Sequence, residues 1–152
     1  MPDLITTDLV RLDVDLGTDK NDVIRALAGV VAEAGRADDV DRLVADTLAR
    51  EDMAPTGLPG GMAIPHCRSG AVSEPTLVFA RLDPAVDFGA SDGAADLVFL
   101  IAGPDTGDHH LQILTRLTRA LVKPAFTDVL RSVRSVDTAV DHVGHALGLP
   151  TG

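Results

Sequence analysis

The segment DLVFLIAG, residues 96–103, is apolar from its second residue to its end. A strand covered on both faces carries apolar side chains at consecutive positions, whereas a half-buried strand alternates. The segment is therefore predicted to be a strand with material packed on both sides of its sheet. Two more strands are predicted before it in the chain, GMAIPH (residues 61–66) and TLVFARL (residues 76–82).

The amino-terminal third of the chain predicts one strand and two helices. Apolar and polar side chains alternate in LVRLDVD (residues 9–15), the pattern of a strand with one solvated face. Thr18 or Asp19 can cap a first helix that ends at Gly35, and Asp38 or Asp39 can cap a second that runs to about Asp52. The Gly- and Pro-rich MAPTGLPGG (residues 53–61) is predicted to be a loop, and residues 83–94 a turn region.

Three helices are predicted after the apolar strand. The first follows the polar segment PDTGDHH (residues 104–110), the second begins at Pro124, and the third is capped by Ser135. The apolar stripe of the first helix is Leu111, Leu114, Leu117 or Thr118, and Leu121. The stripe of the second is Phe126, Val129, Leu130 and Val133, and that of the third is Val136, Val140, Val143 and Leu147. This order of elements predicts an α/β fold around one mixed sheet. It lacks the strand–helix alternation of a dinucleotide-binding fold.

Length and composition restrict the classes of protein that the chain can belong to. Its 152 residues, 45% apolar, predict one globular domain over residues 1–152. The net charge of −10 disfavours binding to nucleic acid or anionic lipid. One cysteine allows no internal disulfide, the amino terminus lacks the pattern of a signal peptide, and the longest apolar run is too short to span a bilayer. We expect a cytoplasmic protein.

His66 is the first candidate for chemistry, because it follows a predicted strand and a proline. Residues at strand ends commonly project into sites, yet a hydrogen-bonded structural histidine fits the position equally well. The neighbouring Cys67 suggests a Cys/His pair. Adjacent residues of an extended chain point to opposite faces, however, and this favours a small, partly buried thiol.

The other four histidines occur in two pairs. His109 and His110 stand where a loop becomes a helix, a position with unpaired backbone N–H groups; they are either functional or ordinary residues of a first helical turn. His142 and His145 lie outside the apolar stripe of the last helix and are expected on a solvated face. A metal site on His142 and His145 would need a third ligand and convergent geometry.

Several motifs together resemble the enzyme IIA domains of the bacterial phosphotransferase system, fructose/mannitol type. ARED followed by PTGLPGGMAIPH is similar to the family's active-site stretch, which has an Arg-Glu pair, a Thr-Gly and then Gly-x-Ala-[IV]-Pro-His. VDFGASDGAADLVFLIAGP and HHLQILTRLTRAL resemble its second and third blocks. The resemblance implies a mixed sheet flanked by helices on both sides.

The resemblance also implies roles for residues and partners. His66 takes the position of the phosphorylated histidine, His110 that of the second active-site histidine, and Arg50 that of the arginine before the Thr-Gly loop. The family receives a phosphoryl group from HPr and passes it to a cysteine of a IIB component for sugar uptake, with fructose expected first. No cofactor or metal is implied, and the membrane is involved only through the IIC transporter.

Three residues depart from the family pattern, and two other functions stay open. Cys67 replaces a glycine, His109 an acidic residue, and Pro59 stands in the active-site loop. A nitrogen-type regulatory enzyme IIA, which acts through protein–protein interaction, shares the Pro-His motif. A metal-dependent hydrolase built on His66, His109 and His110 is the third class.

Overall fold

The computed structural model describes residues 3–107 and 109–148, without the side chain of His109. Its order of elements follows the sequence prediction, with two added short strands. The six strands are β1 (Val10–Val14), β2 (Gly57–Leu58), β3 (Met62–Ala63), β4 (His66–Arg68), β5 (Thr76–Val86) and β6 (Ala95–Gly103). The five helices are α1 (Lys20–Glu33), α2 (Val40–Met53), α3 (His109–Leu121), α4 (Pro124–Ser132) and α5 (Val136–Ala146). A short 3-10 helix, Thr7–Leu9, precedes β1.

Strand β6 is the centre of one mixed sheet, as its apolar sequence predicts. The sheet order is β1-β5-β6-β3-β2, and β4 pairs with β6 beyond β3. Every residue of β6 from Leu97 to Ala102 is fully buried, so side chains are packed on both faces of the strand. β5 runs antiparallel to β6, whereas β3 and β4 run parallel to it. The predicted α/β class with a mixed sheet is confirmed.

The parallel pairing of β4 with β6 places the central histidine. His66 is paired with Ile101, and Arg68 with Gly103, the last residue of β6. The carboxyl ends of parallel strands lie at the same edge of a sheet. The loop that leaves β6 toward α3 therefore starts beside the end of β4.

The predicted helix caps are confirmed for three helices. Asp19 accepts from the backbone N–H of Asp22 at the start of α1 (2.9 Å), and Asp39 accepts from Arg42 at the start of α2 (3.1 Å). Ser135 caps α5 in the same way. Such caps satisfy N–H groups that the first helical turn leaves unpaired.

The structure corrects several predicted bounds. β2 lies inside the predicted loop 53–61, where it forms an antiparallel hairpin with β3. The predicted strand 61–66 is two strands, and β4 begins at His66 and continues past it. β5 continues to Val86, into the predicted turn region. β3 and β4 form because β6 offers hydrogen-bonding partners along its length, and β2 forms against β3. Local sequence does not show these partners.

Two predicted stripe positions are also wrong. Leu111 is 65% exposed and Val129 is 37% exposed, whereas Leu117, Ala120 and Leu121 are the buried residues of α3. The rotation of a helix about its axis follows from what it packs against, so these positions could not be read from spacing alone. No helix within residues 3–107 and 109–148 is long and apolar enough to cross a membrane.

Candidate active site

His66 is held in one tautomer by the backbone. Its Nδ1 atom lies 2.8 Å from the carbonyl oxygen of Ile64. A carbonyl oxygen only accepts hydrogen bonds, so Nδ1 carries the ring proton and Nε2 carries the lone pair. Burial lowers the pKa of His66, and the charge of Arg50 acts in the same direction. The ring is thus a neutral base with a nucleophilic Nε2 near pH 7.

A buried carboxylate supports the backbone that holds His66. Glu51 is 2% exposed and accepts from Thr56 twice, from the backbone N–H (2.8 Å) and from Oγ1 (2.6 Å). The carbonyl of Thr56 accepts from the N–H of Ile64 (3.1 Å), and the carbonyl of Ile64 accepts from His66. Hydrogen bonds therefore connect Glu51 to the His66 ring. Lys20 Nζ lies 3.5 Å from Glu51 Oε2 and partly balances the buried charge.

The residue after Thr56 must be a glycine for steric reasons. A Cβ atom at Gly57 would lie 2.7 Å from the carbonyl oxygen of Phe88 and from the N–H nitrogen of Ala90. The backbone N–H of Gly57 donates to that Phe88 carbonyl (3.1 Å). The Thr-Gly pair thus combines a side chain that binds Glu51 with a backbone that fits against residues 88–90.

His110 lies beside His66. The two ring centroids are 5.5 Å apart, and the rings are tilted by 45°. His110 is in the first turn of α3 and packs over Gly103, where a Cβ atom would come within 3.4 Å of its Nδ1. Burial lowers its pKa to about 4, and the charges of His66, Arg68 and Arg50 act in the same direction. Among the described residues, its buried Nδ1 has no hydrogen-bond partner.

An open cleft of about 580 Å³ contains both histidines. Arg50 lines it from the end of α2, where its Nη1 donates to the Ala54 carbonyl (3.2 Å). Arg42 and Arg68 contribute two further guanidinium groups, and Asp46 and Asp105 two carboxylates. The Asp46 carboxylate accepts from Ser69 Oγ (2.6 Å). A neutral imidazole in a cleft lined by three guanidinium groups can accept and hold a doubly charged phosphoryl group.

Comparison with protein families identifies the family of the chain that carries this cleft. The family model described as "Phosphoenolpyruvate-dependent sugar phosphotransferase system, EIIA 2" matches residues 3–144. The chain belongs to this EIIA family. It is therefore a phosphotransferase, a component of a phosphoryl relay, and the resemblance seen in the sequence is confirmed.

Known proteins similar to this EIIA chain include both transport and regulatory members. The "PTS system fructose-specific EIIA component" of Haloferax volcanii is 38% identical over 136 residues, 88% of each chain. The nitrogen regulatory protein IIA-Ntr of Neisseria meningitidis has a TM-score of 0.84 and 25% identity, covering 92% of this chain and 96% of that one. The Escherichia coli complex of IIA-mannitol with phosphorylated IIB-mannitol has a TM-score of 0.79 and 25% identity. The match covers 93% of this chain and 97% of that one.

Cys67 of the EIIA chain lines the cleft, but its thiol is buried against α2. Its side chain is 4% exposed, and Sγ lies 3.1 Å from Thr47 Oγ1 on α2. The same hydroxyl lies 2.7 Å from the carbonyl oxygen of Leu43. Burial raises the pKa of the thiol. The prediction of a small buried thiol, rather than a partner of His66, is confirmed.

The other three histidines considered in the sequence lie in α3 and α5 of the EIIA chain. The side chain of His109 lies outside the described residues, although α3 begins at this position. His142 was expected on a solvated face, but its ring stacks on Phe126 at 4.8 Å and its Nε2 lies 3.1 Å from the Phe126 carbonyl oxygen. His145 is exposed, as predicted. Within the described part of the chain, no three His, Cys, Asp or Glu side chains are grouped to hold a metal ion.

The active-site loop that contains Pro59, a residue unusual for the family pattern, is held by several hydrogen bonds. The N–H of Gly60 donates to Asp92 (2.9 Å), and the carbonyl of Gly60 accepts from Arg131 (2.5 Å). Arg131 also forms an ion pair with Asp96 at 2.9 Å. These contacts fix the loop before β3 without a side chain from position 59.

Sequence reasoning missed two residues of this site. Glu51 is part of the ARED stretch, and its position directly after Arg50 is the only local signal for it. Arg68 is two residues after His66, on the same side of an extended chain. Its contact with the loop before α3 depends on the pairing of β4 with β6, which no local pattern reveals.

Proposed function

We propose that His66 accepts a phosphoryl group on Nε2 from phospho-HPr and passes it to the cysteine of a IIB component. The observation that carries the proposal is the hydrogen bond from Nδ1 of His66 to Ile64, because it leaves Nε2 unprotonated in a cleft with Arg50. The fructose-specific relative supports fructose, or a related sugar, as the substrate of the transport system. The complex of a similar IIA with phosphorylated IIB supports the choice of acceptor.

The first transfer needs a lone pair and no catalytic acid. The Nε2 lone pair of His66 forms a bond to phosphorus while the phosphorus–nitrogen bond in HPr breaks, and that electron pair returns to the HPr imidazole. Nδ1 keeps its proton, so the His66 ring becomes positively charged. The Ile64 carbonyl stabilises this charge.

The second transfer removes the positive charge from the ring. A thiolate of the IIB component forms a bond to phosphorus, and the bonding pair returns to Nε2 of His66. The ring is again neutral and ready for HPr. A phosphoryl–nitrogen bond suits this role because it remains transferable, unlike the stable ester that a serine would form.

Arg50 and His110 stabilise the transferred group. The guanidinium of Arg50 supplies a fixed positive charge for the phosphoryl oxygens. His110 is neutral before transfer and carries one N–H group that can donate to the same oxygens. Residues 1–152 act together as one EIIA domain on the cytoplasmic side, with the membrane involved only through the transporter.

Incubation with phosphoenolpyruvate, enzyme I and HPr tests the proposal. Mass spectrometry is expected to find one acid-labile phosphate per chain, on the peptide that contains His66. The variant His66→Gln should not be labelled, whereas His145→Gln, which changes an exposed histidine of α5, should be labelled normally. Labelling of His66→Gln would overturn the assignment.

A regulatory role is the second candidate, because the nitrogen regulatory protein of Neisseria meningitidis has a similar structure. Both roles use the same phosphorylated histidine, so the discriminating step is the second transfer. The phosphorylated chain is mixed with a fructose-type IIB component. Rapid loss of phosphate from His66 to the IIB cysteine supports transport, and retention of the phosphate supports regulation.

A further inference from the structure

Arg68 connects the strand that carries His66 to the loop that leads to His110. It is the last residue of β4, two residues after His66, and is paired with Gly103 at the end of β6. Its Nη2 atom donates to the carbonyl oxygens of Asp105 (3.1 Å) and Gly107 (2.8 Å). One guanidinium nitrogen thus joins β4 to two carbonyls of the connection between β6 and α3.

These two hydrogen bonds hold the loop that precedes α3. Among the described residues, segment 104–107 makes no other hydrogen bond from either its backbone or its side chains. His110 follows this segment by three residues and packs over Gly103. Loss of the Arg68 contacts would therefore release the loop and let the His110 ring move relative to His66.

We propose that Arg68 is a positioning residue for phosphoryl transfer, which holds His110 beside His66 through the loop 104–107. The proposal rests on the proposed function of His66. It adds a residue that the family resemblance did not assign.

The charges around His110 agree with a place for Arg68 close to its ring. His66 and Arg68 face it from β4, and Arg50 faces it from α2; Asp105 lines the same cleft. After burial and His66, Arg68 is the next cause that lowers the pKa of His110 to about 4. A phosphoryl group on His66 would bring negative charge to this place and oppose the effect of Arg68.

Two substitutions separate positioning from simple loop stability. Arg68→Gln removes the charge and the guanidinium, whereas Arg68→Lys keeps the charge but offers a single ammonium group. Arg134→Gln is the matched control, because Arg134 is an exposed arginine between α4 and α5 and does not line the cleft. The measurements are the rate of transfer from phospho-HPr and the NMR titration of His110.

Arg68→Gln is expected to slow transfer by roughly 10- to 100-fold, since a small misplacement of a reacting or stabilising group has effects of this size. It should also raise the pKa of His110. Arg68→Lys should keep the pKa of His110 low and recover part of the rate, and Arg134→Gln should change neither.

Two results would overturn the proposal. The first is a wild-type transfer rate in Arg68→Gln. The second is a slower rate that parallels a loss of thermal stability while the pKa of His110 stays unchanged, because Arg68 would then only stabilise the loop. The titration of His110 needs no phosphate. If wild-type His66 is never labelled, the proposed function fails, and the titration still decides whether Arg68 controls His110.

Discussion

The Nδ1 atom of His66 donates to the carbonyl oxygen of Ile64, two residues earlier, at 2.8 Å. This contact selects the tautomer of the ring and leaves Nε2 as the only nitrogen with a lone pair. We predict that ¹⁵N NMR at neutral pH will show the proton on Nδ1 of His66, and that the phosphorylated protein will carry phosphorus on Nε2. A phosphate on Nδ1 would contradict the assignment.

Glu51 should affect phosphoryl transfer although it does not line the cleft. Glu51→Gln leaves one acceptor oxygen for two donors of Thr56, so the hydrogen-bonded path to Ile64 and His66 loses a contact. We expect the transfer rate to fall by roughly 10- to 100-fold, with little change in KM for phospho-HPr. Asp52→Asn, at the exposed neighbouring position, is the control. An unchanged rate in Glu51→Gln would show that the path has no role.

Phosphorylation of His66 should raise the pKa of His110. In the unphosphorylated protein, burial and the charges of His66, Arg68 and Arg50 lower the pKa of His110 to about 4. The ring is therefore neutral at pH 7. A nearby phosphoryl group favours the charged form of the ring. The change can be followed by NMR titration of the phosphorylated and free proteins. Equal pKa values in the two forms would mean that His110 does not contact the phosphoryl group.

The lowered pKa of His110 also predicts how stability depends on pH. Below its ordinary pKa of 6.5 the unfolded chain protonates this histidine, whereas the folded protein does so only near pH 4. The unfolded state therefore binds more protons in this window, and the free energy of unfolding should fall as the pH drops from about 6.5 to about 4.

Urea unfolding at several pH values measures this effect. His110→Gln removes the titrating group, so its free energy of unfolding should depend less on pH in that window than that of the wild type. His145→Gln, at an exposed position, serves as the control. The same pH dependence in wild type and His110→Gln would assign the loss of stability to other groups.

Cys67→Gly should lower stability and leave phosphoryl transfer intact. The substitution removes a buried side chain that contacts Thr47 and puts a flexible glycine into β4, which should cost about 1–3 kcal/mol in the free energy of unfolding. Transfer from phospho-HPr is measured well below the unfolding temperature. A large loss of rate at that temperature would give the thiol a role in the relay.

The sequence alone predicted the strands and helices in which the order of polar and apolar residues follows from which faces are buried. β6 was predictable because a strand covered on both faces has no place for polar side chains between Leu97 and Ala102. The caps at Asp19 and Asp39 were predictable because the first turn of a helix needs acceptors for its free N–H groups. The active-site motif around His66 identified the family, which the family model confirmed.

Other features depend on partners that are distant in the sequence. The two-residue strand β2 exists because β3, itself paired with β6, supplies its hydrogen-bonding neighbour. Leu111 is exposed and His142 stacks on Phe126 because helix rotation is set by packing, not by spacing within one helix. The roles proposed for Glu51 and Arg68 come from contacts between elements, which no local pattern shows.

By itself, the sequence determined the fold class, the family and the histidine expected to carry the phosphoryl group. Burial periodicity, capping chemistry and a motif of adjacent residues are all local properties of a chain. Only the tertiary structure decided the tautomer of His66, the 5.5 Å approach of His110 and the loop contacts of Arg68. The last two depend on the parallel pairing of β4 with β6, which brings His66 beside Ile101 and Arg68 beside Gly103 at one edge of the sheet.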